Sequence, residues 1–112
     1  MLNKQLRMKR NTQFNYTFSH GKSFCKGCML IVVNKKKYKN QKIGVVVSKK
    51  IGNSVTRNHT KRLIREAIQQ HLQSIKPDLD LIFVAREGIN EWNFSQINSC
   101  LEELLKKSNA LL

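Results

Sequence analysis

The sequence predicts an α+β fold, a single-domain two-layer sandwich in which helices pack on a small mixed sheet. Three observations lead there. At 112 residues and 40% hydrophobic content the chain suits one core, because two halves would each bury too little surface. Its apolar pattern passes from helical spacing to β-branched runs and back. Its single proline and five glycines are scattered as punctuation, with no linker-like cluster and no internal repeat, so one unit spanning residues 1–112 is the simplest organisation.

In chain order, Asn11 to Ser19 reads as a short helix, with Asn11 as N-cap and Gly21 just past the end, where a left-handed residue is wanted. Phe14 and Phe18 share one of its faces. Lys22 to Lys26 leaves room for a short strand. Cys28 to Asn34 is apolar and β-branched, Lys35 to Lys42 is a lysine-rich connection, and Ile43 to Ser48 is β-branched again, a pattern that predicts a hairpin with a basic tip. After a turn at Gly52, Ser54 to Ile75 carries helix formers until Pro77 forbids continuation, giving the longest helix. Leu79 to Ala85 returns to strand character, and residues 88–94 form a loop. Ser95 can then cap a last helix whose Ile97, Leu101, Leu104 and Leu105 make an apolar stripe. The order is αββαβα, or αβββαβα with the strand near Lys22.

The charge is more specific than the fold. A formal net charge of +14 exceeds what solubility requires and favours a polyanionic partner. All seven acids lie after position 65, whereas residues 1–65 hold 17 Lys or Arg and no carboxylate. Solvated surfaces usually mix both signs, so this asymmetry points to a nucleic-acid-binding face. The basic N-terminus lacks the apolar stretch of a signal peptide, and no run approaches the roughly 18 apolar residues of a membrane span; the expected location is cytoplasmic. Three cysteines cannot all pair within the chain and read as free thiols. Cys25 and Cys28 have zinc half-site spacing, but no second ligand pair follows.

The long helix concentrates the signal. At about 100° per residue, Arg57, Lys61 and Arg65 fall within about 80° of one another, Asn58 and Arg62 extend that arc on one side, and Leu63, Ile64, Ala67 and Ile68 occupy the other side. Lys49, Lys50 and Asn53 lead into the helix start, where unpaired backbone N–H groups favour a phosphate. A basic amphipathic helix alone is also compatible with an ordinary solvated face. The lack of any acid before Glu66 argues against that, since exposed helices usually carry compensating pairs.

The run from Lys49 to Ala67 resembles the signature of the bacterial ribonuclease P protein subunit: Lys49, Lys50, Gly52, Ser54, Val55, Arg57, Asn58, Lys61, Arg62 and Arg65 match it in order. Phe14-x-x-x-Phe18-x-His20-Gly21, Val45-Val46-Val47-Ser48 and Ala85-Arg86 extend the likeness over about residues 5–107. Two positions depart from it. His59 stands where many members have arginine, and Val32 where some have an aromatic residue.

The resemblance implies an accessory subunit of the ribonucleoprotein that removes the 5′ leader from precursor tRNA. No catalytic residue and no metal is expected in the protein, since the family's catalyst is an RNA that holds the Mg2+ ions. Lys49, Lys50, Asn53, Arg57, Asn58, Lys61, Arg62 and Arg65 would bind the catalytic RNA. Phe14, Phe18 and Val32 would line a leader cleft between the first helix and the sheet. By spacing alone both rings read as core; the resemblance turns at least one towards RNA bases, which stack on aromatic planes with little sequence preference. It also implies a left-handed crossover between parallel strands flanking the long helix, against the usual rule.

The residues agree with a non-catalytic role. A metal-dependent nuclease needs clustered carboxylates, and the one close pair, Asp78 and Asp80, reads as a loop leading into a strand. His20, His59 and His71 are dispersed. The main rival is a ribosomal or chaperone-like RNA-binding protein, which would show the same charge asymmetry without any role in cleavage. A DNA-binding module reading a major groove is less well supported, because no helix-turn-helix partner is evident.

Overall fold

The computed structural model describes residues 4–36 and 41–112. Three helices, α1 (Asn11–His20), α2 (Ser54–His71) and α3 (Phe94–Lys107), accompany four strands, β1 (Lys22–Lys26), β2 (Met29–Lys35), β3 (Ile43–Val46) and β4 (Leu79–Ala85). The sheet order is β1-β2-β4-β3. β1 and β4 both run antiparallel to β2, and β3 runs parallel to β4. The sheet is therefore mixed, and α2 is the crossover between its two parallel strands.

The hairpin expected between β2 and β3 does not exist, because β4 lies between them. β4 is Leu-Asp-Leu-Ile-Phe-Val-Ala, buried at every position but Val84, and a strand apolar on both sides belongs at the centre of a sheet. Part of the lysine-rich connection, Lys37 to Asn40, lies outside the described residues. The hairpin that does form joins β1 to β2, pairing Lys26 with Met29 around Gly27-Cys28. Gly27 has φ +55° and a Cβ there would stand 3.0 Å from the Trp92 ring, so this turn needs glycine for both its conformation and its space.

Four helix ends differ from expectation, and the first is that of α2, which stops at His71 and passes into a 3-10 turn, Leu72–Ser74, short of Ile75. Arg10, not Asn11, is the N-cap of α1, and Gln13 Oε1 accepts from the Arg10 and Lys9 N–H groups at 3.4 and 3.3 Å. Gly21 is extended (φ −84°, ψ 168°). It is small for lack of room, since a Cβ would lie 2.7 Å from both Thr17 O and Val32 Cγ1. α3 is capped by Asn93 and not Ser95: Asn93 Oδ1 accepts from Gln96 N–H and Gln96 Oε1 from Asn93 N–H, each at 2.9 Å, a reciprocal box two residues earlier.

Strand alternation divides the core. Met29, Ile31, Ile43, Leu81 and Phe83 point to one face and pack with Ile64 and Ile68 of α2 and Ile97, Leu101 and Leu105 of α3, all at most 1% exposed. The opposite face carries Val32 and Ile82 with Met8, and Phe14, Leu30, Val46 and Val84 are only partly buried there. The helices thus do not all cover one side: α1 crosses the second face and leaves part of it open.

Candidate nucleic-acid interface

α2 begins with a side-chain cap, Asn53 Oδ1 accepting from Thr56 N–H at 2.9 Å. A short turn, Lys49–Ile51, precedes it and is pinned by the buried Ile51, which leaves Lys49 and Lys50 exposed beside the helix N-terminus. Thr60, Ile64, Ala67 and Ile68 form the buried side of α2. Arg57, Lys61 and Arg65 are half-buried, and Asn53, Asn58 and Arg62 are exposed. The eight residues expected to bind RNA therefore occupy one helix start and one continuous face.

Two electrostatic features mark that face. Arg57 Nε is buried and has no hydrogen-bond partner, a cost that an incoming acceptor would relieve. Burial, and secondarily the neighbouring Arg7, pushes the Arg65 pKa down, so like charges are held together in partial shelter from water. Arg7 was not identified by sequence reasoning. It arrives because the N-terminal segment lies along the free edge of β3: Arg7 bridges to Ile43 in parallel, Met8 N–H donates to Ile43 O at 2.8 Å, and the Met8 side chain is buried. This covers an exposed sheet edge. Residues 58 positions apart share no periodicity that could have paired them. Beside Arg7, a concavity of about 480 Å³ is lined by Lys4, Lys9, Arg10 and Lys42 among others.

The second candidate region is the open sheet face. The Phe14 ring lies over Gly44, where a Cβ would be 2.5 Å from it; glycine lets the aromatic ring settle on the sheet. Phe18, one turn on, is 45% exposed. Val32 departs from its expected place in a cleft: it is 1% exposed, sealed under the end of α1 beside Gly21, and has no surface to offer a ligand. Leu30, Val46 and Val84, which sequence reasoning passed over, are the partly exposed apolar residues around it. Strand alternation from Val32 would have found Leu30.

The remaining candidates have structural partners. Asp80 is buried, accepts from Lys42 N–H at 2.8 Å and pairs with Lys36 at 3.2 Å. His71 Nε2 meets Asn98 Oδ1 at 3.0 Å, tying α2 to α3. Cys25, Cys28 and Cys100 are free thiols, and burial pushes the Cys100 thiol pKa up. Among the described residues no group of three His, Cys, Asp or Glu is placed to hold a metal ion, and no helix is long and apolar enough to cross a membrane.

Comparison with known proteins gives consistent matches. The family model described as Ribonuclease P matches residues 2–109. The chain is 38% identical over 106 residues to the ribonuclease P protein component of Clostridium botulinum (strain 657), covering 94% of this chain and 96% of the relative. It is 37% identical over 111 residues to that of Oceanobacillus iheyensis, covering 98% and 92%. Among solved structures it is similar to a Staphylococcus aureus RNase P protein mutant with defective mRNA degradation activity (TM-score 0.89, 32% identity, 97% of this chain and 92% of that one). The Thermotoga maritima RNase P protein is also similar (TM-score 0.81, 26% identity, 90% and 96%).

Proposed function

The chain belongs to the ribonuclease P protein family, and on that premise we propose that its α2 face docks on the ribonuclease P RNA while its open sheet face holds the precursor-tRNA leader. Family membership makes it the accessory protein of the tRNA 5′-processing ribonucleoprotein and a partner of ribonuclease P RNA. The finer assignment is ours and rests chiefly on one observation: Arg57 Nε is buried without an acceptor on the face where Arg65 meets Arg7. RNA phosphates would supply the missing acceptor and offset the repulsion, with release of counterions.

Each part of the face has a distinct task. Lys49, Lys50, Asn53 and the first N–H groups of α2 suit one phosphate at a helix start. Arg57, Lys61 and Arg65 suit successive phosphates along the helix, with Asn58, Arg62 and Arg7 at its margins. On the other face, Phe18 and the partly exposed Leu30, Val46 and Val84 offer an apolar platform on which leader bases stack without sequence preference. Phe14 orients that platform by seating α1 over Gly44.

The chemistry is assigned to the RNA. The described interface presents guanidinium and ammonium groups, whereas Mg2+ takes oxygen ligands, and Asp80 is committed to Lys42 and Lys36. The protein binds and orients, and hydrolysis with its Mg2+ ions stays with the partner RNA. Its substrate, precursor tRNA, would place it in the cytoplasm.

The test adds purified protein to a bacterial ribonuclease P RNA at low magnesium and follows 5′ leader removal. Wild-type protein is expected to stimulate cleavage, and Arg57→Ala with Arg65→Ala to require more protein for the same rate. Equal stimulation by wild type and double variant at limiting protein would remove α2 from the docking surface.

A further inference from the structure

Away from α2 and the open sheet face, a cavity of about 580 Å³ opens where the end of α3 meets the β1–β2 edge of the sheet. Its floor is apolar, made by Phe24, Val33 and Leu79 on the α3 side of the sheet. Around the floor stand Lys22, Lys35, Lys76 and Lys107, against one lining carboxylate, Asp78. Asn34, Ser108 and Asn109 complete the lining.

The rim is held by backbone bonds. Asn109 is left-handed (φ 57°) just past α3, and the Ala110 and Asn109 N–H groups donate to Leu105 O and Lys106 O at 3.0 and 3.1 Å. Such a helix end tolerates asparagine and fixes the direction in which the chain leaves. Lys76 N–H donates to Ala110 O at 2.8 Å and Lys36 N–H to Asp78 O at 2.7 Å, while Gln41 Nε2 donates to Lys76 O at 2.9 Å. At the opposite rim His20 stacks on the exposed Tyr16, ring centroids 4.1 Å apart.

We propose that this cavity binds an unpaired nucleotide of an RNA strand, its base over Phe24 and its phosphate among the lysines. The proposal rests on the RNA-binding reading of the chain and adds a contact on a surface outside the face assigned to the leader. An apolar ligand would leave the lysines unmatched, and a bare anion would leave the aromatic floor unused. A nucleotide uses both, and the volume falls in the range of roughly 300–1,000 Å³ that suits small-molecule sites. Lys107 Nζ also donates to Cys25 O at 3.4 Å, which orients it and leaves its other donors for a phosphate.

The experiment titrates the isotopically labelled full chain with cytidine 5′-monophosphate and with a short single-stranded RNA, following backbone amide resonances. Saturable shifts are expected at residues 22–24, 33–35 and 107–109. Lys35→Glu with Lys107→Glu is expected to weaken RNA binding about tenfold with the unfolding transition retained. Inorganic phosphate that reproduces the shifts at equal affinity overturns the nucleotide assignment, as does a poly-glutamate peptide that saturates as well as RNA. RNA-induced shifts confined to α1 and the open sheet face overturn the cavity and leave the leader reading standing. Shifts at neither place overturn both.

Discussion

The two faces of the sheet are built from alternate residues of the same strands and are finished differently. On one, Met29, Ile31, Leu81 and Phe83 are fully buried beneath α2 and α3. On the other, Val32 and Ile82 are buried, but Leu30, Val46 and Val84 remain partly exposed beneath a single helix. The first face provides stability. The second keeps an apolar surface that folding alone has not used up, as expected of a surface that meets a ligand. α2 serves both purposes at once, with Ile64 and Ile68 in the core and its arginines outside.

The largest effect should come from the closed face. Phe83→Ala is expected to cost about 3–5 kcal/mol in chemical denaturation, through lost burial and the cavity left behind. A much smaller loss would mean that this face is not the principal core. Next, Arg57→Ala with Arg65→Ala should leave the unfolding transition near wild type and weaken association with ribonuclease P RNA. The slope of log affinity against log salt should fall by about one per lost phosphate contact. An unchanged slope would make the α2 face an ordinary solvated one.

Asn53→Ala should destabilise by about 1 kcal/mol, through loss of the cap that closes the first turn of α2. Smallest in stability is Val84→Ala on the open face, expected to cost under about 1 kcal/mol because the side chain is already partly exposed. If that variant destabilises as much as Phe83→Ala, the distinction between the faces collapses.

How far the sequence disclosed this arrangement depended on the range of the interaction concerned. Helix α2, strand β4 and the apolar stripe of α3 follow from local periodicity and from Pro77, and the structure places them within a few residues of expectation. The shared face of Arg57, Lys61 and Arg65, proposed above for docking, was legible for the same reason, because helical spacing alone puts them together. The mistaken hairpin was a failure of pairing: two β-branched runs around a lysine-rich connection look adjacent, and nothing local shows that β4 enters between them. The caps of α1 and α3 were misplaced by one and two residues, where Gln13 and Gln96 at the third helical position decide the boundary.

Val32 and Arg7 show the same limit from opposite directions. Val32 sits among residues of a plausible cleft, but α1 closes over it. Arg7 had no motif to recommend it, and edge pairing with Ile43 brings it to Arg65. Family membership replaces the ribosomal or chaperone-like alternative, which charge asymmetry alone left open.

The central claim is that the open face binds the leader and the α2 face binds the catalytic RNA. It is tested most directly by the affinity of the assembled ribonucleoprotein for precursor and for mature tRNA, with wild-type protein and with Phe18→Ala. Phe18 is 45% exposed, so its removal leaves the core intact. The account predicts that Phe18→Ala weakens precursor binding and spares mature tRNA. Equal losses for both substrates, or no loss for precursor, would contradict it.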